Sequence, residues 1–407
     1  MRAEHQKKPL ADVCLFLNGL WKGEKPPFVN VGVIRNTNFT KEGSLDSSDI
    51  AYLDVELKKF EKRRLQFGDV ILEKSGGGPK QPVGRVALFD LAEGDFSFSN
   101  FTSALRVLEP DILDFRFLHK FLHWTYLSGV TEGMQSHSTG IRNLNGDAYK
   151  AIEISLPKLL EQKRIVGILD KAFDGIASAK ANAEKNLQNA RAMFESHLQS
   201  VFTHRGDGWV EKRLGDIAKT QYGLSEPMNE DEKGFKIFRM GEVQNGRLID
   251  TGHMKFADID RMEFKKYKLR LGDVLFNRTN SFELVGKTGI FTLSGDYCFA
   301  SYLVRVLLDP KVMASEFLNY LMNSQKFQTN VKKKASKSIN QANINATILS
   351  NEMVQFPVSL EVQRSIVAKL DRLREESERL ESIYQRKLAA LEALKKSLLY
   401  QAFSGQL

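Results

Sequence analysis

Apolar and polar positions alternate along this chain in two textures, and each texture occurs twice. Up to about Pro157, and again from about 205 to Pro357, short apolar runs such as DVIL, RVALF, DVLF and TGIF are broken by Gly, Asn, Asp and Pro. Runs of that length between turn residues predict short strands. DFRFLHKFLHW and SEFLNYLMNS are spaced as helices and predict one in each globular part, which is therefore α+β. From about Leu159 to Phe202 and from about Leu360 to Phe403 there is no Pro and little Gly. There Ile366, Leu370, Leu373, Ser377, Leu380, Tyr384, Leu391, Leu394 and Leu398 recur at heptad spacing, with Lys387 in one slot. The earlier stretch fills the same slots with Ile165, Leu169, Ala172, Ile176, Ala179, Ala183, Asn186, Ala190 and Met193. The pattern predicts globular parts over 1–156 and 205–356 and long helices over 157–204 and 357–407, each helix a rod of roughly 60–65 Å at ~1.5 Å per residue.

The two halves echo one another in order. EQKRIVGILD at Glu161–Asp170 returns as VQRSIVAKLD at Val362–Asp371, LADV at Leu10–Val13 as LGDI at Leu214–Ile217, and LQFGDVIL at Leu65–Leu72 as LRLGDVLF at Leu269–Phe276. PVGRVALF pairs with LVGKTGIF, VNVGVI with FRMGEV, RVLEP with RVLLDP, and NLN with NIN. The chain is thus two copies of one unit in tandem. One seam carries Ala where the other carries Leu or Tyr, and small against large allows close approach without a void. The two helices are expected to pack on each other as an antiparallel coiled coil, the copies related by a pseudo-twofold axis. Asn186 and Lys387 share a polar slot that either fixes register or snorkels to solvent.

Composition narrows the class. The chain has 407 residues and a formal net charge of +9, which favours a polyanionic partner. Its two cysteines, Cys14 and Cys298, have no neighbour at metal-ligand spacing, which fits a reducing compartment. MRAEHQKKPLADVCLFLNG lacks the apolar run of a signal peptide, and no stretch reaches the length of a membrane span, so a cytoplasmic protein with no membrane partner is expected.

Fragments that look catalytic do not hold. Gly286-Lys287-Thr288 resembles the end of a phosphate-binding loop, but Ser281 stands where that loop needs Gly. KPPF at Lys25–Phe28 resembles an amino-methyltransferase motif, yet Lys25 has only donors where an acceptor is required. His119 and His123 have zinc-ligand spacing, but the other copy has Asn319 and Asn323 there, and a polar stripe explains both pairs. Pro227 with Asp231-Glu232-Lys233 reads as a solvated charged loop. The expectation is a reader or adaptor with no catalytic residue, cofactor or metal of its own. An enzyme acting alone and a scaffold binding protein or RNA are the competing readings.

Two stretches in each copy suit a polyanion. VKKKASKSINQANIN supplies Lys332, Lys333 and Lys337 for phosphates, with Asn340, Gln341, Asn343 and Asn345 able to hydrogen-bond base edges. The first copy offers Arg142, Asn143 and Asn145. The loop after each GDV strand gives Lys74, Ser75, Lys80 and Gln81 in one copy and Arg278, Thr279 and Asn280 in the other. Arg35 and Asn36, with Arg239 and Gln244, are weaker candidates of the same kind. A solvated loop is the alternative for each.

The tandem globular-plus-helix repeat, the L-x-D-[VI] opening, the G-D-V-[IL] strand, the helix starts PKLLEQKRIV and PVSLEVQRSIV, and the ending LLYQAFSGQL together resemble the specificity subunit of a type I restriction–modification enzyme. The resemblance spans nearly the whole chain. It departs at Val362, where the family usually has Glu; Glu161 keeps it. It implies two target recognition domains, each reading half of a bipartite duplex DNA site, and helices acting as a ruler between them. Two methyltransferase subunits that methylate adenine N6, and two motor subunits, would carry S-adenosylmethionine, ATP and magnesium. Glu161, Gln162, Arg164, Gln363 and Arg364 are the docking residues it implies.

Overall fold

The computed structural model describes residues 6–20, 23–78, 81–138, 141–204, 206–338 and 341–407. It divides into two compact units, residues 1–184 with 386–407, and residues 185–385, so each long helix contributes to both.

The first unit is built on a four-stranded antiparallel sheet ordered Cys14–Asn18, Thr102–Val107, Val70–Glu73, Val86–Leu88. Its Val70–Glu73 strand is buried on both faces, so Val70, Ile71 and Leu72 are all apolar, and the buried Glu73 is paired with Arg85 at 2.7 Å. Val70 and Leu72 join a core with the helix Phe115–Leu127, while Ile71 faces a second core with Ile34, Phe39 and Phe98. The second unit repeats the plan: Val274 and Phe276 pack toward the helix Ser315–Asn323, and Leu275 packs with Phe238, Phe291 and Phe299. Each globular part is closed by pairing its first strand with its last, Gln6–Pro9 with Glu153–Leu156, and Trp209–Arg213 with Met353–Pro357. The L-x-D-[VI] echo is a short helix hung on that pair, with Leu10 N–H donating to Ile152 O and Leu214 N–H to Glu352 O, each at 2.9 Å.

The GDV echo is a turn with a buried ion pair. Gly68 and Gly272 take φ of +92° and +87°, and Asp69 and Asp273 each cap the turn by accepting a backbone N–H, from Gln66 and Arg270. Arg106 clamps Asp69 at 2.7 Å and Arg305 reaches Asp273 at 2.9 Å. Two echoes are slipped relative to the sequence match. Val70 pairs with Leu105 and Val274 with Val306, so Arg305 corresponds to Ala104 and not to Arg106. The two arginines stand two positions apart on one strand face and reach the same aspartate, because strand side chains repeat every second residue. Likewise Ile34 corresponds to Phe238, so VNVGVI ends where FRMGEV begins.

The long helices run Leu159–Thr203 and Leu360–Phe403 and pack antiparallel within each unit. Lys180 pairs with Glu392 in the first unit, and Arg191 with Glu381 in the second, each at 2.8 Å. Small residues sit where the helices meet. Ala183 and Ala190 are buried, and the Ser377 hydroxyl donates to Ala190 O at 2.6 Å. The strict heptad fails midway. The packed positions run Ala183, Leu187, Ala190, Phe194 and Leu198, and on the other helix Tyr384, Leu388, Leu391, Lys395 and Leu399, while Asn186, Met193, Lys387 and Leu394 are exposed. A straight helix drifts about 20° per heptad from a 3.5-residue repeat, and an extra step of four restores the seam. Asn186 and Lys387 therefore face solvent and do not set register. No helix among the described residues is long and apolar enough to cross a membrane.

Candidate nucleic-acid interface

In each unit the two stretches singled out by sequence meet in one small sheet. In the first, Ser75–Gly77, Ile141–Leu144 and Gln135–Ser138 form three strands with Ile141–Leu144 central. In the second, Thr279–Asn280, Ala342–Asn343 and Ser336–Lys337 do the same. Ser75 lies opposite Asn143, and Thr279 opposite Asn343. The Ser75 hydroxyl donates to Asn143 Oδ1 at 2.6 Å, and Asn343 Nδ2 donates to Thr279 Oγ1 at 2.9 Å. On the other flank the hydroxyls of Ser136 and Ser336 donate to the carbonyls of Asn143 and Asn343. These asparagines fix the pairing of the sheet that carries them.

A cation stands at the same edge of each sheet. Lys74 Nζ donates to Asn18 Oδ1 at 3.3 Å, and partial burial lowers its pKa. Arg278 sits 4.9 Å above the Tyr222 ring and donates to Ser301 O at 3.2 Å. Asn18 and Tyr222 are equivalent, since Asn18 pairs with Ser103 and Tyr222 with Val304. One cation is held by an amide, the other by an aromatic face. The frame is shared and the chemistry differs.

Gln81 closes a turn onto Gly78, and Arg142 lies against Gln135. Asn145 and Asn345 are helix N-caps, Asn145 Oδ1 accepting the N–H groups of Asp147 and Ala148 and Asn345 Oδ1 that of Ile348. Lys332 and Lys333 are not in a loop but end the helix Gln325–Lys333, where cations suit the helix dipole. Lys332 donates to Glu283 O at 2.7 Å, and burial lowers its pKa. Lys337 stands 3.9 Å from the Phe282 ring centre. Gln341 is exposed beside it, and Asn280 accepts its neighbour's N–H. Arg239 forms an ion pair with Glu242 at 2.6 Å and Arg35 with Asp49 at 3.3 Å. Asn36 donates to Ser75 O, and Gln244 to Gly241 O. Lys80 and Asn340 lie outside the described residues.

The polar stripe at His119 and His123 has a definite partner. His119 Nε2 lies 2.7 Å from Gly43 O, and Asn319 donates to Gly246 O at 2.8 Å, so the same position tethers the same loop in both units. Asn323 bonds the backbone of Thr288. Among the described residues no group of three or more His, Cys, Asp or Glu side chains could hold a metal. The Gly286-Lys287-Thr288 stretch is a turn into the strand Thr288–Ile290.

At the helix starts, Gln162 and Gln363 are fully buried. Gln162 accepts from Asp114 N–H and donates to the carbonyls of Ile112 and Pro157, all at 2.8 Å. Gln363 does the same with Ala314, Val312 and Pro357. These amides join each long helix to its own globular part. Glu161 and Arg164 form an exposed pair at 2.7 Å, and Arg364 is exposed.

Residues 4–188 and 206–386 each match the model of the type I restriction modification DNA specificity domain. The chain belongs to this family. It is 27% identical over 393 residues to the type I restriction enzyme StySPI specificity subunit of Salmonella potsdam, covering 92% of this chain and 82% of that protein. It is 26% identical over 392 residues to the EcoKI specificity subunit of Escherichia coli strain K12, with the same coverages. A chain from a structure of type I R-M system complex assembly and conformational transition superposes with a TM-score of 0.78 at 20% identity, covering 100% of this chain and 99% of that one. The HsdS subunit from Thermoanaerobacter tengcongensis gives 0.63 at 20% identity, covering 100% and 98%. Both structures share its fold.

Two groups escaped the sequence reading. One is the support under each cation, Asn18 and Tyr222. The other is Phe101 and Tyr302, whose carbonyls accept the backbone N–H of Lys74 and Arg278, each at 3.0 Å. Neither lies in a polar run, and only strand register shows that they correspond.

Proposed function

We propose that this specificity-family chain reads a bipartite, asymmetric duplex DNA site, one half-site per globular part, and is itself non-catalytic. It positions two methyltransferase subunits for adenine N6 methylation and, with two motor subunits, restriction. S-adenosylmethionine, ATP and magnesium belong to those partners. The observation that carries this reading is the small sheet built twice with a cation at its edge, on matched strands but with different side chains. Lys74, Lys337 and Arg278 supply charge for phosphates, and the rims of the two sheets read base edges. Exposed Glu161, Arg164 and Arg364 at the helix starts serve partner docking, for which Gln162 and Gln363 set the geometry from beneath.

Selection from random duplex DNA, using the chain with a co-expressed methyltransferase partner, tests this. The expected result is a split motif with a fixed unread gap. Binding without any motif, abolished uniformly by salt, would leave only phosphate contact and overturn it.

A further inference from the structure

Some exposed apolar side chains are matched by a polar residue in the other unit, as Leu160 is by Glu361, and others by an aliphatic one, as Phe67 is by Leu271. Phe101 and Tyr302 form an exposed pair in which both members are aromatic. The bridges Leu20–Ser99 and Leu224–Ala300 make Ser99 equivalent to Ala300, and hence Phe101 to Tyr302. Both rings are exposed, at 47% and 37%. Each is tied by its own carbonyl to the residue that carries the cation, Lys74 or Arg278. An aromatic ring left in water at the same point of both frames, next to a cation and a small polar sheet, is a feature that packing does not explain.

The first unit also has room beside the ring. A cleft of about 480 Å³ is lined by Phe101, Val33, Leu53, Val55, Asn36 and Ser99. Among the described residues, the buried Asn36 Oδ1 and Ser99 Oγ have no hydrogen-bond partner. Gly76, at φ +105°, lines the same cleft, and a Cβ there would lie 2.9 Å from Asn36 Nδ2 and 3.8 Å from the Phe101 ring. Arg35 also lines the cleft, but its guanidinium is paired with Asp49 at 3.3 Å, and apolar walls with a few unsatisfied polar groups suit the face and edge of a planar heterocycle. In the second unit the positions of Asn36 and Ser99 hold Met240 and the buried Ala300, whose side chains have no polar group to meet a base edge.

We propose that Phe101 and Tyr302 are base-stacking residues, each laying its ring against a nucleobase of the half-site read by its own unit, beside the cation that meets the adjoining phosphate. An aromatic side chain set against a base step partly unstacks it, and stacking tolerates any base. The first unit adds edge recognition through Asn36 and Ser99; the second does not. This rests on the duplex-reading function above.

The test uses the full chain with its partner subunits and the duplex selected from the random pool, carrying 2-aminopurine at each half-site position in turn. Wild-type protein is expected to change the fluorescence at one position in each half-site. Phe101→Ala should abolish the change in one half only and weaken binding about tenfold, with Phe101→Trp restoring both. Tyr302→Ala should act on the other half. Amide exchange of the strand Thr102–Val107 confirms that the variants are folded. If both alanine variants bind within twofold of wild type with unchanged fluorescence, the stacking proposal fails while the duplex-reading function stands. If wild-type protein selects no motif, both fail.

Discussion

Ser75 and Asn143 are joined side chain to side chain at 2.6 Å, although 68 residues separate them. The bond ties the loop after the GDV strand to the stretch before the long helix and makes one surface of two. Ser75→Ala and Asn143→Ala should each weaken binding to the selected duplex, by about 1 kcal/mol. Because both remove the same bond, the double variant should lose little more. Titrations of the four proteins check this; strictly additive losses would show that each side chain acts alone on DNA.

The fully buried Gln162 holds three backbone groups, those of Asp114 and Ile112 part-buried and that of Pro157 buried. Gln162→Ala strands the N–H of Asp114 and the carbonyls of Ile112 and Pro157 and should cost the first unit about 1–3 kcal/mol. Gln363→Ala should do the same to the second unit. Urea unfolding followed by amide exchange of Phe115–Leu127 and Ser315–Asn323 would assign each loss to its unit. A loss of partner binding at unchanged stability would instead make these residues direct contacts.

The close approach at Ala190 has no room for a larger side chain. Ala190→Leu must push the helices apart and break the Ser377 hydroxyl contact, costing about 1–3 kcal/mol. Asn186→Leu, one slot of the failed heptad, should change stability by less than about 0.5 kcal/mol, because that position faces solvent. Thermal melts of the two variants would separate the observed seam from the strict heptad.

The two units should respond differently to acid. Burial, then the Lys120 cation, lowers His119 to about 4, and burial, then His119, lowers His123 to about 3; Lys395 adds to both, while Gly43 O and Asp170 oppose the shift at His119. Unfolded histidine titrates near 6.5. Below that pH the unfolded chain binds more protons, so the contribution is whole above about 6.5 and is lost as pH falls toward the folded values. The helix Phe115–Leu127 should lose exchange protection between pH 7 and pH 5. A His119→Asn/His123→Asn variant, which copies Asn319 and Asn323, should show most of that loss removed. An unchanged slope would place the acid sensitivity elsewhere.

The repeat and both long helices are legible because they rest on local pattern: apolar spacing, absent Pro, and turn glycines. What the sequence hides is set by register between distant segments. RVLEP and RVLLDP match letter for letter at the arginine, yet strand pairing places those arginines two positions apart. The heptad reads correctly as far as Ala183 and then slips, because helical pitch and not the repeat decides which side faces in. Gln162 looks like an exposed polar residue at a helix start and is instead wholly enclosed. Phe101 and Tyr302 were illegible for the opposite reason: apolar residues within a strand motif look like core.

The aromatic cluster of Phe117, Phe121 and Trp124 closes around Phe403, and Leu399 and Ala402 are buried in the same core. The first unit thus draws its last wall from residues 386–407. During synthesis the ribosome makes the second unit's entire chain before that wall exists. The half of the protein that begins first is therefore finished last, and a transcript cut short near its end would leave the earlier half, not the later one, with an open core.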